Sequence, residues 1–508
     1  MISRIRSAAV LGIDAFPVEV EVGIASGGNG EFEIVGLPDP AIRESRARIH
    51  AAIRSSRFDV PFRKITVNLA PADVRKEGSG FDLPVAIGVL AASGVVQAET
   101  KRLLMVGELS LDGRLRPVRN CLAISILARK TRSTGLIVPF ENRHDAALAT
   151  GVRVYAIQTL TDVVGFLNGT LEVAAFVADA HPELDRGAVP LEDFGDVRGQ
   201  EHAKRAIEVA VAGAHNMLML GPPGSGKTML ARRIPSIMPQ MTLNESLDVT
   251  RIHSACGLLP PGGGLVTVRP FRSPHHSISS GGLIGGGSTP RPGEASMSHN
   301  GVLFLDELPE FPRHAIEVLR QPLEDQQVTI ARAQTTLSFP ASLILVGAMN
   351  PCRCGFLGDA LHECRCTPKQ IQIYRSKISG PLLDRIDIQI DVPPVPYMDL
   401  AGGGRSETSS EIRNRVVQAR ARQRKRLSNS DVCTNSRMRP EQIRESCTLT
   451  KECARILEKA HSDLGISARG YTRILKVART IADLEASDGI KTAHLAEAIR
   501  YRKLDRGA

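Results

Sequence analysis

Residues 216–228 carry a short apolar strand, Met217-Leu218-Met219-Leu220, that passes directly into Gly221-Pro222-Pro223-Gly224-Ser225-Gly226-Lys227-Thr228. A G-x-x-x-x-G-K-[ST] run between a buried strand and a helix builds a phosphate-binding loop, because glycine has no Cβ to hold backbone N–H groups away from the anion. The helix expected from Thr228 to about Arg233 adds its positive N-terminal end. Lys227 is placed to reach the β- and γ-phosphates of ATP, and Thr228 to offer its hydroxyl to Mg²⁺. A flexible loop that merely happens to contain Lys-Thr would have no reason to carry this strand before it and this helix after it.

Gly301-Val302-Leu303-Phe304-Leu305-Asp306-Glu307 reads as a second buried strand, with acids at its C-terminal end, where open α/β sheets bind ligands. Asp306 is expected to hold the Mg²⁺ shell and Glu307 to polarise the attacking water. Paired acids after a strand also begin ordinary helices. The phosphate loop upstream favours the catalytic reading.

The 508 residues suggest about three domains. Hydrophobic content of 42% and charge of 23% are those of a soluble globular protein, and no apolar run is long enough to span a membrane. The basic N-terminus lacks a secretory pattern, since Asp14 interrupts the apolar run behind it, so a cytoplasmic location is expected. Trp is absent and Tyr scarce, so base stacking on aromatics is not expected as the main mode of any nucleic-acid binding. The net charge is +10, and residues 401–508, with 23 Lys and Arg against 13 Asp and Glu, carry all of it. Such asymmetry points to a polyanionic partner; a solvated basic face or an acidic neighbouring subunit explains it equally.

Residues 1–170 alternate strand-like runs (Val18 to Val22, Ile65 to Leu69, Leu103 to Glu108, Leu136 to Pro139) with helical ones from Phe81 and around Leu122 to Thr131, as an α+β domain would. Arg75-Lys76-Glu77-Gly78-Ser79-Gly80-Phe81-Asp82-Leu83-Pro84 and Val106-Gly107-Glu108-Leu109-Ser110-Leu111-Asp112-Gly113 resemble the Lon-protease-type fold of ribosomal-S5 topology. Lon peptidases use a Ser–Lys dyad. Ser79 falls near the serine, but Leu122 stands where the lysine is expected, and a serine without its base is a poor nucleophile. Residues 171–195, without period, read as a linker. Phe194 to Gln200 then leads into a helix from Glu201 to about Gly213.

Arg269-Pro270-Phe271-Arg272-Ser273-Pro274-His275-His276, Arg291-Pro292-Gly293-Glu294, His299-Asn300-Gly301 and Phe311-Pro312 complete a pattern that resembles, over the whole length, the ComM/YifB branch of the magnesium-chelatase-like AAA+ ATPases. The resemblance implies an AAA+ P-loop NTPase core with a parallel sheet over 196–400 and a C-terminal helical lid over 401–508. It further implies a hexameric, ATP-driven homo-oligomer. For the ComM members it implies a branch-migration helicase that moves incoming single-stranded DNA into the chromosome in natural transformation and recombination. A chelatase-like ATPase remodelling a protein partner is the alternative.

On the same resemblance, Asn350, ending the strand Leu343 to Met349, matches sensor 1, although an Asn at a strand end is also common turn chemistry. Arg385, in Gly380-Pro381-Leu382-Leu383-Asp384-Arg385-Ile386-Asp387, matches an arginine finger that serves a neighbouring subunit's nucleotide; a surface ion pair with Asp384 or Asp387 is the alternative. Arg469, after the N-cap Ser467, fits sensor 2, with Arg473 second. In such ATPases the approach segment, here from Phe194 through the helix to Gly213, borders the adenine.

Cys352, Cys354, Cys364 and Cys366 form two C-x-C pairs, with His362 as a substitute ligand. Four thiols of this spacing can converge on structural Zn²⁺; disulfides and free thiols remain open. Gly281 to Ser288 reads as a mobile Gly-rich insertion, and Val328 to Ala333 with Thr336 to Phe339 as a hairpin. In related motors both point into the central pore, where Arg332 would track DNA phosphate, against the alternative of a merely solvated hairpin. After a linker over 401–404, Glu411 to Arg426 packs Arg413, Arg415, Arg420, Arg422, Arg424, Lys425 and Arg426 into one helix. Phosphate contact and a subunit interface are both compatible with it.

Overall fold

In a computed structural model, residues 2–502 are described apart from 26, 28–29, 99, 101, 178–191, 260–263, 288–289, 333–335, 360–361, 396–405, 429 and 431. The chain divides into two compact units, Met1–Arg186 with Leu243–Val266, and Gly187–Thr242 with Thr267–Ala508.

The first unit is built on a seven-stranded sheet of β1 (Ile2–Leu11), β2 (Asp14–Ile24), β3 (Phe32–Val35), β4 (Ile65–Ala70), β5 (Leu103–Met105), β6 (Gly135–Pro139) and β7 (Val154–Ile157), in the order β3-β4-β2-β1-β5-β6-β7. β2 runs antiparallel to β1 and β4; the other pairs are parallel. Alternation sets the faces: Val18, Val20 and Val22 are buried between the partly exposed Glu19 and Glu21. The helix Asp82–Ala92 is apolar on nearly every side and sits in the core. Ser79 donates its hydroxyl to the Glu108 carboxylate. Leu122 is buried with Leu148, Leu247 and Leu265, so the helix Leu243–Ala255, read from sequence as part of the 196–400 stretch, packs into this unit.

Both ends of the 171–195 stretch make defined contacts. The Phe176 N–H bonds the Val154 carbonyl at 2.7 Å, and Asp193 caps the turn Phe194–Asp196. Its middle, 178–191, lies outside the described residues, as does 401–404.

The second unit holds an all-parallel sheet of β8 (Met217–Leu220), β9 (Phe271–Arg272), β10 (Val302–Leu305), β13 (Ile344–Met349) and β14 (Ile388–Asp391), with β11 (Gln327–Ala331) and β12 (Thr336–Pro340) as a separate hairpin. The order is β9-β10-β13-β8-β14. Every residue of β8, β10 and β13 is buried, which explains their unbroken apolar sequence. The lid helices Ser409–Arg426, Lys451–Leu464, Ala468–Leu484 and Thr492–Arg500 share one apolar core with this sheet: Val416, Ile474 and Ile481 lie in the same cluster as Met217 and Phe304.

The Gly-rich insertion has regular structure where described: a helix, Ser280–Ile284, capped by the Ser279 side chain, then a two-residue ribbon, Gly285–Gly286, paired with Arg291–Pro292. Among the described residues no helix is long and apolar enough to cross a membrane.

Candidate nucleotide site

β8 lies between β13 and β14, so its carboxyl end is the point where the strand order reverses and a crevice opens. The phosphate loop fills that crevice. Its helix runs Lys227–Ile237, longer than the sequence reading, and starts from Gly226 at φ +88°, a left-handed conformation that favours glycine. Lys227 is buried, with Nζ donating to the carbonyls of Gly221 (2.7 Å) and Pro222 (2.8 Å) and lying 3.4 Å from both Ser225 Oγ and Asn350 Oδ1. Burial lowers the pKa of its ammonium below the usual lysine value, although Asp306 and Glu307 pull it the other way.

The neighbouring strand ends supply the rest. Thr228 Oγ1 donates to Asp306 Oδ2 at 2.7 Å, so a hydroxyl and a carboxylate from two elements meet as the hard oxygen pair that suits Mg²⁺. Glu307 adopts φ +52°, with its N–H on Asp306 Oδ1 at 3.0 Å and its half-exposed carboxylate 3.5 Å from His276 Nδ1. His276 lies in a motif quoted above, but nothing in its spacing signalled this contact. Arg272 and Glu294, from two other quoted motifs, form a bidentate pair at 2.6 and 2.8 Å. Gln200 Nε2 reaches the Pro393 carbonyl at 2.5 Å and the Ser225 carbonyl at 3.5 Å, which sets the approach segment against the loop.

Arg385 and Arg469 sit elsewhere. They share a cavity of about 310 Å³ with Arg473, Arg437 and Lys476. Its wall includes Asn216, the residue before β8, whose amide donates to the Arg385 carbonyl at 3.0 Å. Asn216 precedes Gly221 by five residues, or ~16 Å of extended strand, so the cavity lies at the opposite rim of the sheet from the phosphate loop. Arg385 is buried and bonded to Glu324 and the Pro381 carbonyl; burial lowers its pKa, Glu324 opposes this, and Arg320 and Arg469 lower it further. It pairs with Glu324 rather than with Asp384 or Asp387.

Arg473, the second choice for sensor 2, is tied to buried Asp387, which also faces His215 Nδ1 at 3.0 Å. Burial alone would raise that carboxyl's pKa, but Arg473 and His215 outweigh it and hold it well below the usual range. Arg469 is 64% exposed and 3.9 Å from Asp384. Arg437, Lys476 and Glu324 escaped sequence reasoning because they come from segments far apart in the chain.

The four cysteines converge. Their sulfurs all lie within 4.8 Å of one another, with Cys352 to Cys354 at 3.3 Å, Cys354 to Cys364 at 3.6 Å and Cys352 to Cys364 at 3.7 Å. None is in a disulfide, and His362 turns instead to Asp359. Arg332 is exposed at the end of β11, near Gly286 of the ribbon, whereas the hairpin tip at 333–335 lies outside the described residues.

A parallel sheet with a phosphate loop at its switch point, an acid on one neighbouring strand end and an amide on another defines a phosphate-loop NTPase of AAA+ build. Comparison with known proteins agrees. Residues 193–400 match the family model "Magnesium chelatase, subunit ChlI", with 19–142 and 406–502 matching further models of the same subunit. The chain is 43% identical to Competence protein ComM of Haemophilus influenzae over 99% of its own length and 97% of that protein's. It is 41% identical to the uncharacterized protein YifB of Escherichia coli, over 99% of this chain and 98% of that one. Lon protease 2 of Bacillus subtilis matches only in part, at 30% identity over 28% of this chain and 26% of the protease. The chain belongs to the ComM/YifB family of magnesium-chelatase-like AAA+ ATPases, a family that implies ATP and Mg²⁺.

Proposed function

We propose that this protein is an ATP-driven motor that assembles as a hexameric ring, translocates on DNA and drives branch migration during uptake and recombination of DNA. The observation that carries the ring is the split of the ATPase groups between two rims of one sheet. Lys227, Thr228, Asp306, Glu307 and Asn350 gather at the carboxyl ends, while Arg385 and Arg469 line a cavity at the opposite rim, which supports a reading in which a second protomer's arginines complete each site.

In this scheme Gly221 to Thr228 cradle the phosphates, and Lys227 gives up its carbonyl partners to pair with them. Thr228 and Asp306 would hold Mg²⁺, which would supply positive charge to the phosphates. Asn350 and Glu307 orient the lytic water, and the neighbour's Arg385 and Arg469 stabilise the transferring group. The thiols of Cys352, Cys354, Cys364 and Cys366 hold structural Zn²⁺.

DNA as the substrate is supported by similarity to a protein named for competence and by exposed Arg332 beside the Gly-rich ribbon. The Lon-like unit acts as a scaffold, since Leu122 is a core residue. Incubation with a labelled four-way junction, ATP and Mg²⁺ tests the function: junction-dependent ATPase that falls steeply with salt, together with conversion to duplex products, is expected. ATPase indifferent to any polynucleotide favours the second reading, a chelatase-like remodeller of a protein partner.

A further inference from the structure

Granting zinc on the four thiols, we propose that the cysteine knuckle is the brace of the phosphate loop, so that metal occupancy sets nucleotide affinity. Zn–S bonds of about 2.3 Å in a tetrahedron put sulfurs about 3.8 Å apart. The sulfurs of Cys352, Cys354 and Cys364 are 3.3–3.7 Å apart, near that spacing and beyond bonded disulfide distance, and that of Cys366 lies within 4.8 Å of each. The set is preformed.

What the knuckle touches gives it a second role. Gly355, next to Cys354, has φ +87°, and a Cβ there would come within 2.7 Å of Pro223 Cδ and 2.9 Å of its Cγ. The knuckle backbone therefore lies directly on the proline ring in the middle of the phosphate loop. Cys352 is two residues beyond Asn350, whose amide oxygen faces Lys227 Nζ at 3.4 Å, so one run of chain links a metal ligand to the phosphate-binding lysine. Between loop and knuckle lies a cavity of about 490 Å³, walled by Gly221 and Pro222 on one side and Leu357 and Gly358 on the other.

A turn this small has no core of its own. Bound metal supplies the energy that holds such loops in shape. Metal loss frees residues 352–355 and, through Gly355, releases Pro223, which costs the loop part of its preorganisation.

The test uses the full-length protein, a fluorescent ATP analogue with Mg²⁺, and metal analysis. Purified protein is expected to carry one zinc per chain. Stripping it with a pyridyl chelator that spares Mg²⁺ is expected to raise the Kd about tenfold, the effect of losing ~1.4 kcal/mol of binding energy, and zinc re-addition to restore it. Gly355→Ala is expected to weaken binding similarly. Protein without zinc as purified removes the metal assignment and the proposal with it. Zinc present with an unchanged Kd, either after stripping or in Gly355→Ala, overturns the coupling alone. Loss of far-UV circular dichroism on stripping also overturns it, by making the knuckle a folding element.

Discussion

Lys227 is a charge that the fold has largely withdrawn from water and handed to two carbonyls, and an arriving polyphosphate replaces those weak partners with strong ones. Because burial lowers its pKa in the nucleotide-free protein, phosphate must raise it on binding. Below the lowered value both states are protonated and affinity is at its full value; as pH climbs through it, the free protein loses the proton and binding has to take it back. ATP affinity is thus expected to fall with rising pH on the alkaline side, with proton uptake visible as a buffer-dependent binding enthalpy in calorimetry. Binding enthalpies identical in buffers of different ionisation heat would refute this. The positions of Asp306 and Asn350 were legible in the sequence because each directly follows a buried strand, and that of Lys227 because it closes the loop into which β8 leads; a strand end has a fixed address in a parallel sheet. Arg437 and Lys476 were not, since nothing local marks a side chain that joins a cavity through tertiary packing.

The lid helix Ser409–Arg426 shows what happens to a legible feature whose destination is not. Its arginines suggested phosphate contact or a subunit interface, yet most of them hold this unit together. Arg413 donates to the Ser236 carbonyl, Arg420 to Val211, Arg422 to the Asp483 carbonyl, and Arg415 pairs with Glu208 and Glu407; only Arg424 and Lys425 of the seven are exposed. Helical period gives a face but not the neighbour that covers it. One buried tie converges on Asp483, 1% exposed, which accepts from Arg426 at 2.7 and 2.8 Å, Arg479 at 3.1 Å and the Asn435 amide at 2.8 Å. Asp483→Ala strands two guanidinium groups in a buried place and is expected to destabilise this unit by about 3–5 kcal/mol. Urea denaturation followed by circular dichroism reads the loss. A midpoint equal to that of the parent protein would mean that the lid is held by its apolar stripe of Ile474, Leu475 and Ile481 alone.

At the scale of the whole molecule, the proposed ring would make the ATPase a property of neighbours, since Arg385 and Arg469 line a cavity apart from Lys227, and subunit mixing can read each arginine's direction. Lys227→Ala and Arg385→Ala chains are each expected to be inactive alone. In an equal mixture about a quarter of interfaces bring an intact loop to an intact arginine by random pairing, so part of the activity returns. Arg469 lies 3.9 Å from Asp384, the residue before Arg385, and the two arginines line one cavity, so both should act on the same neighbouring nucleotide. Mixing Lys227→Ala with Arg469→Ala should then recover activity to the same extent, while mixing Arg385→Ala with Arg469→Ala should recover none, because no protomer in that mixture brings both arginines to its neighbour. Recovery in this last pairing would put Arg469 on its own chain's nucleotide. That outcome would require the lid helix Ala468–Leu484 to leave the position in which Arg473 is clamped to Asp387.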